Sequence, residues 1–220
     1  MSKKVKNSVV QNLRIEYESE PLDLSSVLPD PIDQFDHWFK EALQSDILEP
    51  NAMTLATATP DGLPSARIVL LKGYLSTGFS FYTNFDSRKG KEIEENSAVA
   101  LVFNWLELHR QVRIEGHARK LNEEEATAYF QSRPIGSQIG AWASAQSTVI
   151  PDRSVLEKEA DRLQQQYKDA SHLPKPPFWG GYLVEPHYLE FWQGRPNRLH
   201  DRIAYKKEED DNWSLKRLSP

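Results

Sequence analysis

Apolar and polar residues alternate with period two over much of the chain and switch to helical spacing in a few places, which marks out the elements. The stretches "AMTLATAT", "SARIVLLKGY", "FSFYTNF", "SAVALVFNW" and "RQVRIEGHARK" read as strands. Short connections such as "PDG" and "STG" favour antiparallel pairing between neighbours. In the last of these strands Gln111, Arg113, Glu115 and His117 share one face and Val112, Ile114 and Ala118 the other, so one face is core and the other is wet or ligand-facing. After the Pro-rich link "LPKPPFWGG" comes a strand pair, "GYLVEP" and "YLEFW", and "LHDRIAYKK" and "NWSLKRL" close the series.

Helical spacing begins at Asp30, an N-cap followed by Pro31, with Ile32, Phe35, Phe39, Ala42 and Leu43 forming an apolar face that predicts a helix to about Leu48. Asp86 or Ser87 caps a short helix through "RKGKEIEEN". Asn122 with Glu125 resembles a capping box opening "EEEATAYFQSR", and a longer helix is expected from about Asp152 to Ala170. Between them "PIGSQIGAWASAQS" is irregular or a short helix. Residues 1–29 are polar without clear periodicity and read as a mobile arm; residues 30–220 read as one domain. About six to eight mostly antiparallel strands with inserted helices predict an α+β domain built on a barrel.

Composition narrows the chemistry. The chain has no cysteine, which removes disulfides, thiolate catalysis and cysteine-based metal sites, so redox chemistry must come from a bound cofactor. The six histidines lack metal-ligand spacing with partner carboxylates, and no metal is assigned. No run of eighteen apolar residues could span a bilayer, and the N-terminus does not read as a secretory signal, so a cytoplasmic protein is expected. A formal net charge of −5 argues against a broad nucleic-acid surface. Local clusters of cations therefore call for a small anion.

Four such clusters occur. In "RIVLLK", Arg67 and Lys72 stand five apart, on opposite faces of a regular strand, and should serve different groups. In "YTNFDSRKGK", Tyr82 and Thr83 end a strand while Arg88 and Lys89 sit at a helix N-terminus, whose free N–H groups already favour an anion. In "YFQSRPIGSQIGAW", Tyr129, Arg133 and Ser137 recur every four residues, although Pro134 and Gly136 interrupt a continuous helix. A guanidinium fork with two hydroxyls suits a phosphate dianion. Finally, "WQGRPNRLHDR" would, if extended, point Arg198, His200 and Arg202 to one face. Taken singly, each cation reads as a solvated surface residue; the clustering carries the inference. No nucleophile elbow, Walker loop or dinucleotide fingerprint is present.

Read together, "RIVLLK", "FYTNFDSRKGKEIEEN", "RQVRIEG", "YFQSRPIGSQIGAWASAQS", "FWGGY" and "FWQGRPNRLHDR" resemble the pyridoxamine 5′-phosphate oxidase family, in order and with the expected gaps. The likeness runs from "LRIEY" at Leu13 to the terminal "LKRLSP". It implies an FMN-binding split β-barrel with peripheral helices and a homodimer holding FMN at its interface. It implies contacts to FMN from Arg67, the backbone of Ile68, Val69, Leu70 and Leu71 on to Lys72, and from Tyr82, Thr83, Arg88, Lys89, Gln111, Gln146, Ser147, Trp192 and Arg202. Lys72, Tyr129, Arg133 and Ser137 match the seat of the substrate phosphate; Arg198 and His200 match the residues that act at the reacting ring; Arg14 and Tyr17 match a segment that can cover the site. The implied reaction takes pyridoxine 5′-phosphate or pyridoxamine 5′-phosphate to pyridoxal 5′-phosphate, with a hydride equivalent passing from C4′ to the flavin and O2 reoxidising it to hydrogen peroxide. No position of the pattern departs; variation falls at His109 and Ile135. Two other readings compete with this one. A different split-barrel flavoprotein, such as a flavin reductase, has no need of the second phosphate seat, and a non-catalytic pyridoxal-phosphate carrier has no need of the flavin set.

Overall fold

The structure, a computed structural model, describes residues 16, 17 and 19–220. Asp30 starts the first helix of the described residues by accepting the N–H groups of Ile32 and Asp33 at 2.7 and 3.4 Å, with Pro31 preset for the first turn, and α1 runs Pro31–Gln44. It stops short of Leu48 because Ser45 turns extended and its hydroxyl donates to the Ala42 carbonyl at 2.8 Å. The buried face is Ile32, Phe35, Trp38, Phe39 and Ala42, whereas Leu43, expected on it, is exposed.

Nine strands follow: β1 (Ala52–Ala58), β2 (Pro64–Leu70), β3 (Gly73–Leu75), β4 (Gly78–Asn84), β5 (Ala98–Trp105), β6 (Arg110–Lys120), β7 (Trp179–Gln193), β8 (Asp201–Lys207) and β9 (Trp213–Leu218). Four more helices lie between them: α2 (Arg88–Glu95), α3 (Glu123–Ser132), α4 (Ile135–Ala143) and α5 (Ser154–Gln166). All strand pairs are antiparallel, in one sheet of order β2-β1-β5-β6-β7-β4-β3, with β8 on β7 and β9 on β8. The stretch predicted as one strand from Ser65 to Tyr74 breaks after Leu70 into β2 and β3, where the N–H groups of Leu71 and Lys72 turn to Asn51 and Ser80.

The predicted pair "GYLVEP" and "YLEFW" is instead one fifteen-residue strand, β7. Pro186 is tolerated because it sits at a register shift: Gly116 pairs with Pro186 and Glu115 with Tyr188, leaving His187 over. Gly116 is needed there, since a Cβ would stand 2.3 Å from the Glu185 carbonyl oxygen. One edge of β7 is taken by β6; the other is shared, β4 pairing residues 179–184 and β8 residues 188–193.

The main core forms where α1 lies on the sheet. Phe35, fully buried, packs its ring 4.9 Å from Phe79 and 5.0 Å from Phe103. A second cluster, Phe130, Ile139, Leu163, Leu173 and Trp179, joins α3, α4 and α5 to the start of β7. The α3–α4 break at Pro134 is sealed by buried Gln138, whose amide donates to the Gln131 and Arg133 carbonyls and accepts the Leu173 N–H. Part of the segment expected as an arm packs against this body: Leu22 is buried, its N–H donates to Asp201, and the Tyr205 hydroxyl donates to the Leu28 carbonyl at 2.6 Å.

Replacing Phe35 by alanine should cost about 3–5 kcal/mol in a urea unfolding titration. A loss under about 1 kcal/mol would mean that the core does not rest on the α1 contact.

Candidate active site

Ser87 caps α2, accepting the Gly90 N–H and donating its own hydroxyl to the Asn84 carbonyl, while Asn84 accepts the Asp86 N–H. Gly90 lets the helix lie flush on the preceding turn, because a Cβ would stand 2.1 Å from the Phe85 carbonyl oxygen. This geometry folds the Lys89 side chain back to the end of β4, where its ammonium donates to Thr83 at 3.0 Å, Ser87 at 3.3 Å and the Gln146 side-chain oxygen at 2.6 Å. None of the three is charged. Burial, then the positive charge of Arg67, brings Lys89 down to about 8.

Arg67 on β2 donates to Thr57, Ser65, the Leu55 carbonyl and the Glu92 carboxylate. Glu92 is buried, and it also takes the Thr57 and Ser65 hydroxyls at 2.5 and 2.6 Å and Arg88 Nε at 2.8 Å. Burial alone would raise its carboxyl, but the bonds from Ser65, Thr57, Arg88 and Arg67 together hold it at about 2. Arg88, expected to reach a phosphate, gives its Nε to Glu92 and is otherwise mostly exposed.

Beside this cluster opens a cavity of about 560 Å3. From the set matched to FMN it takes Ile68, Val69, Leu70, Tyr82, Thr83, Lys89 and Gln146, and from the set matched to the substrate phosphate it takes Lys72, Tyr129, Arg133 and Ser137. Leu71 turns its side chain into the core, and Ser147, in a left-handed conformation at φ 70°, does not line the cavity. Although the helix breaks at Arg133, its guanidinium and the hydroxyl residues on either side still meet in one place. Arg133 Nη1 is buried and has no hydrogen-bond partner among the described residues, and burial pushes this guanidinium down from its ordinary value. Among the described residues no carboxylate lies within ion-pair distance of Lys72, Lys89 or Arg133.

The remaining matched residues lie elsewhere. Gln111, Trp192 and Arg202 are cross-strand neighbours on β6, β7 and β8. Arg202 grips buried Glu190 with two bonds of 2.8 and 3.0 Å, which raise its already high value. His200 packs 4.7 Å from Trp192, and Tyr17 stands against His109, Trp192 and His200. Gly194 makes room for Tyr17, whose Cγ would lie 2.8 Å from a Cβ there. Burial, then the charge of Arg198, lowers His200, and the Arg195 N–H donates to its Nδ1, placing the proton of the neutral ring on Nε2. The strip from Trp192 to Arg202 is not extended: Pro196–Arg198 form a 3-10 turn, Asn197 and Arg198 are left-handed at φ 57° and 62°, and β8 starts only at Asp201. Strand alternation therefore does not set the direction of Arg198. Arg14 lies outside the described residues.

Sequence reasoning assigned no role to Trp179, Glu92 or Glu190. Trp179 lines the cavity, and the signal was the "WGG" start of a strand, where two glycines leave space for rings. The two glutamates gave no signal, because a carboxylate among cations looks like any exposed ion pair in one dimension.

Comparison with known proteins agrees with this architecture. The family model described as "Pyridoxamine 5'-phosphate oxidase" matches residues 39–167, and one described as "Pyridoxine 5'-phosphate oxidase C-terminal dimerisation region" matches residues 179–220. A pyridoxine/pyridoxamine 5′-phosphate oxidase of Salinibacter ruber is 53% identical over 97% of this chain and 100% of its own length, and one of Burkholderia lata is 52% identical over the same shares. Among solved structures, PhzG from Burkholderia lata in complex with tetrahydrophenazine-1-carboxylic acid is 32% identical, with a TM-score of 0.86 over 92% of this chain and 99% of that one. A pyridoxamine 5′-phosphate oxidase-related, FMN-binding protein from Nostoc punctiforme shares the fold at a TM-score of 0.68 and 17% identity, over 89% of this chain and 99% of that one. With a split-barrel sheet, a family model over more than half its length and close relatives along nearly all of it, the chain belongs to the pyridoxamine 5′-phosphate oxidase family.

Proposed function

We propose that this protein is an FMN-dependent oxidase that converts pyridoxine 5′-phosphate or pyridoxamine 5′-phosphate to pyridoxal 5′-phosphate in vitamin B6 biosynthesis or salvage, acting in the cytoplasm as a homodimer. The observation that carries the reading is one cavity lined by three cations, Lys89 on one side and Lys72 with Arg133 on the other, none of which has a carboxylate within ion-pair distance among the described residues. Each side suits a phosphate of roughly −1.5 to −2 charge. Around Lys89, Arg67 and Arg88 add two charges and Glu92 removes one, leaving two net positive charges. Lys72 and Arg133 give the same balance opposite.

In this reading Lys89, Thr83 and Gln146 hold the FMN phosphate, and Arg133, Lys72 and the hydroxyls of Tyr129 and Ser137 hold that of the substrate. Bound FMN supplies the two-electron acceptor, with O2 as the terminal oxidant and hydrogen peroxide as its product. His200, neutral near pH 7 with its proton on Nε2, donates a hydrogen bond that orients the pyridine ring, and Arg198 grips the same ring. From pyridoxamine 5′-phosphate the resulting imine is hydrolysed to aldehyde and ammonia.

The length of β7 supports the homodimer. Trp179 in the cavity and Trp192 in the second group lie on one strand, thirteen residues apart, about 40 Å along the strand. A strand of that length separates the two groups within one chain, and in this reading the second group serves the cavity of another copy. The description of the matched C-terminal region as a dimerisation region supports this. A second reading comes from the relative holding tetrahydrophenazine-1-carboxylic acid, a ligand without phosphate. The unpaired Arg133 guanidinium favours the phosphorylated substrate.

The deciding assay is aerobic turnover of pyridoxine 5′-phosphate by purified protein with and without added FMN. Equal amounts of aldehyde and peroxide, dependent on FMN, are expected; bound flavin without aldehyde sinks the reading. Arg133→Ala should raise the apparent substrate KM at least tenfold while leaving FMN affinity within about twofold, and Lys89→Ala should do the reverse. An unchanged KM in Arg133→Ala would remove the substrate seat.

Lys89 also sets a pH dependence. Its value of about 8 lies below the ordinary 10.5, so the free protein already carries the proton below pH 8. Phosphate binding favours the charged form, and above pH 8 it must take up a proton. FMN affinity should be level from pH 7 to 8 and then fall by up to about tenfold per unit. Fluorescence titration at each pH tests this, and a Lys89→Met protein should lose the slope.

A further inference from the structure

Arg133 presents a problem of stability as well as of binding. A half-buried guanidinium with a buried N–H group needs compensation, and the common solution is a carboxylate. A carboxylate here would cancel the charge and repel an incoming phosphate. The structure supplies something else: the Arg133 guanidinium carbon stands over the Trp179 ring, 5.0 Å from its centroid, and 5.6 Å from that of Phe130. An indole face attracts a cation through its quadrupole and adds no negative charge.

Trp179 is firmly placed for this. It opens β7 opposite Asn84, and its carbonyl accepts the Lys175 ammonium at 2.7 Å. Lys175 is itself buried and ion-paired with Glu123 at the start of α3. The two glycines that follow keep the strand bare: a Cβ at Gly180 would stand 2.4 Å from the Phe85 ring, and one at Gly181 2.8 Å from that of Tyr82. Tyr82 can thus lie nearly parallel to Trp179, at 5.3 Å and 11°, and Tyr129 lies 3.9 Å from Tyr82. One indole therefore supports the guanidinium of one phosphate seat and a tyrosine matched to the other.

We propose that Trp179 is a specificity-determining positioning residue, whose ring holds Arg133 as an uncompensated cation so that the cavity selects a phosphorylated pyridoxal-type ligand over its unphosphorylated counterpart. This deepens the oxidase reading and rests on it. A purely structural role for Trp179 in the second core cluster makes a different prediction, namely equal losses for both ligands.

The test is calorimetric titration of the FMN-loaded full-length protein with pyridoxal 5′-phosphate and with pyridoxal, in wild type, Trp179→Leu and Trp179→Phe, with thermal unfolding to verify folding. Affinity for pyridoxal 5′-phosphate should fall about tenfold in the leucine variant and about threefold in the phenylalanine variant, which retains a weaker ring face. Affinity for pyridoxal should stay within about twofold in both. Equal losses for the two ligands, or no loss for the phosphorylated one, would overturn the assignment. Should the leucine variant not fold, the difference between the two ligands in Trp179→Phe decides alone. Wild type that binds pyridoxal 5′-phosphate no better than pyridoxal would fail the oxidase reading itself, an outcome visible before any variant is made.

Discussion

The pairing of β7 with three other strands is the constraint on which the remaining structure depends. Its fifteen residues carry β6 along one edge and divide the other between β4 and β8. The bulge opposite Gly116 lets the strand turn from one partner to the next without ending. Because of that continuity, Trp179 and Trp192 belong to one rigid element, one in the cavity and the other beside His200 and Arg202. The second core cluster, with the helices that deliver Tyr129, Arg133 and Ser137, is built against the beginning of the same strand.

Two ways of handling positive charge coexist in this acidic chain. Arg67, Arg88 and Arg202 are held by buried glutamates, Glu92 and Glu190, and are fixed in place by them. Lys89 and Arg133 are held by neutral groups: hydroxyls and an amide for the lysine, aromatic rings for the arginine. Burial depresses both. An arriving anion stabilises the charged form that burial disfavours. The paired arginines are tied to the fold, and the cations without carboxylates line the cavity.

Much of this was legible in the sequence, and the limits have physical causes. Helix α1 announced itself through Asp30, Pro31 and the spacing of Ile32, Phe35 and Phe39. The cation clusters were visible as local runs, and four residues matched to a substrate phosphate, Lys72, Tyr129, Arg133 and Ser137, meet in one cavity. Three features were not legible. Pro186 looked like a strand end, because a one-dimensional pattern cannot show that a bulge excuses the missing N–H. The "GRPNR" stretch looked extended, because left-handed angles at Asn197 and Arg198 leave no trace in periodicity. Arg88 looked free, because its partner Glu92 serves Arg67 as well, and that sharing depends on β2 and α2 meeting in space.

Glu92 bears on what holds this corner of the protein together. Three clustered cations with nothing between them would repel one another across the walls of the cavity. With a carboxylate already at its centre, bonded to two hydroxyls and two guanidinium groups, the walls are joined beforehand. The chain's own groups close this corner of the barrel, so its geometry does not depend on an anion arriving there.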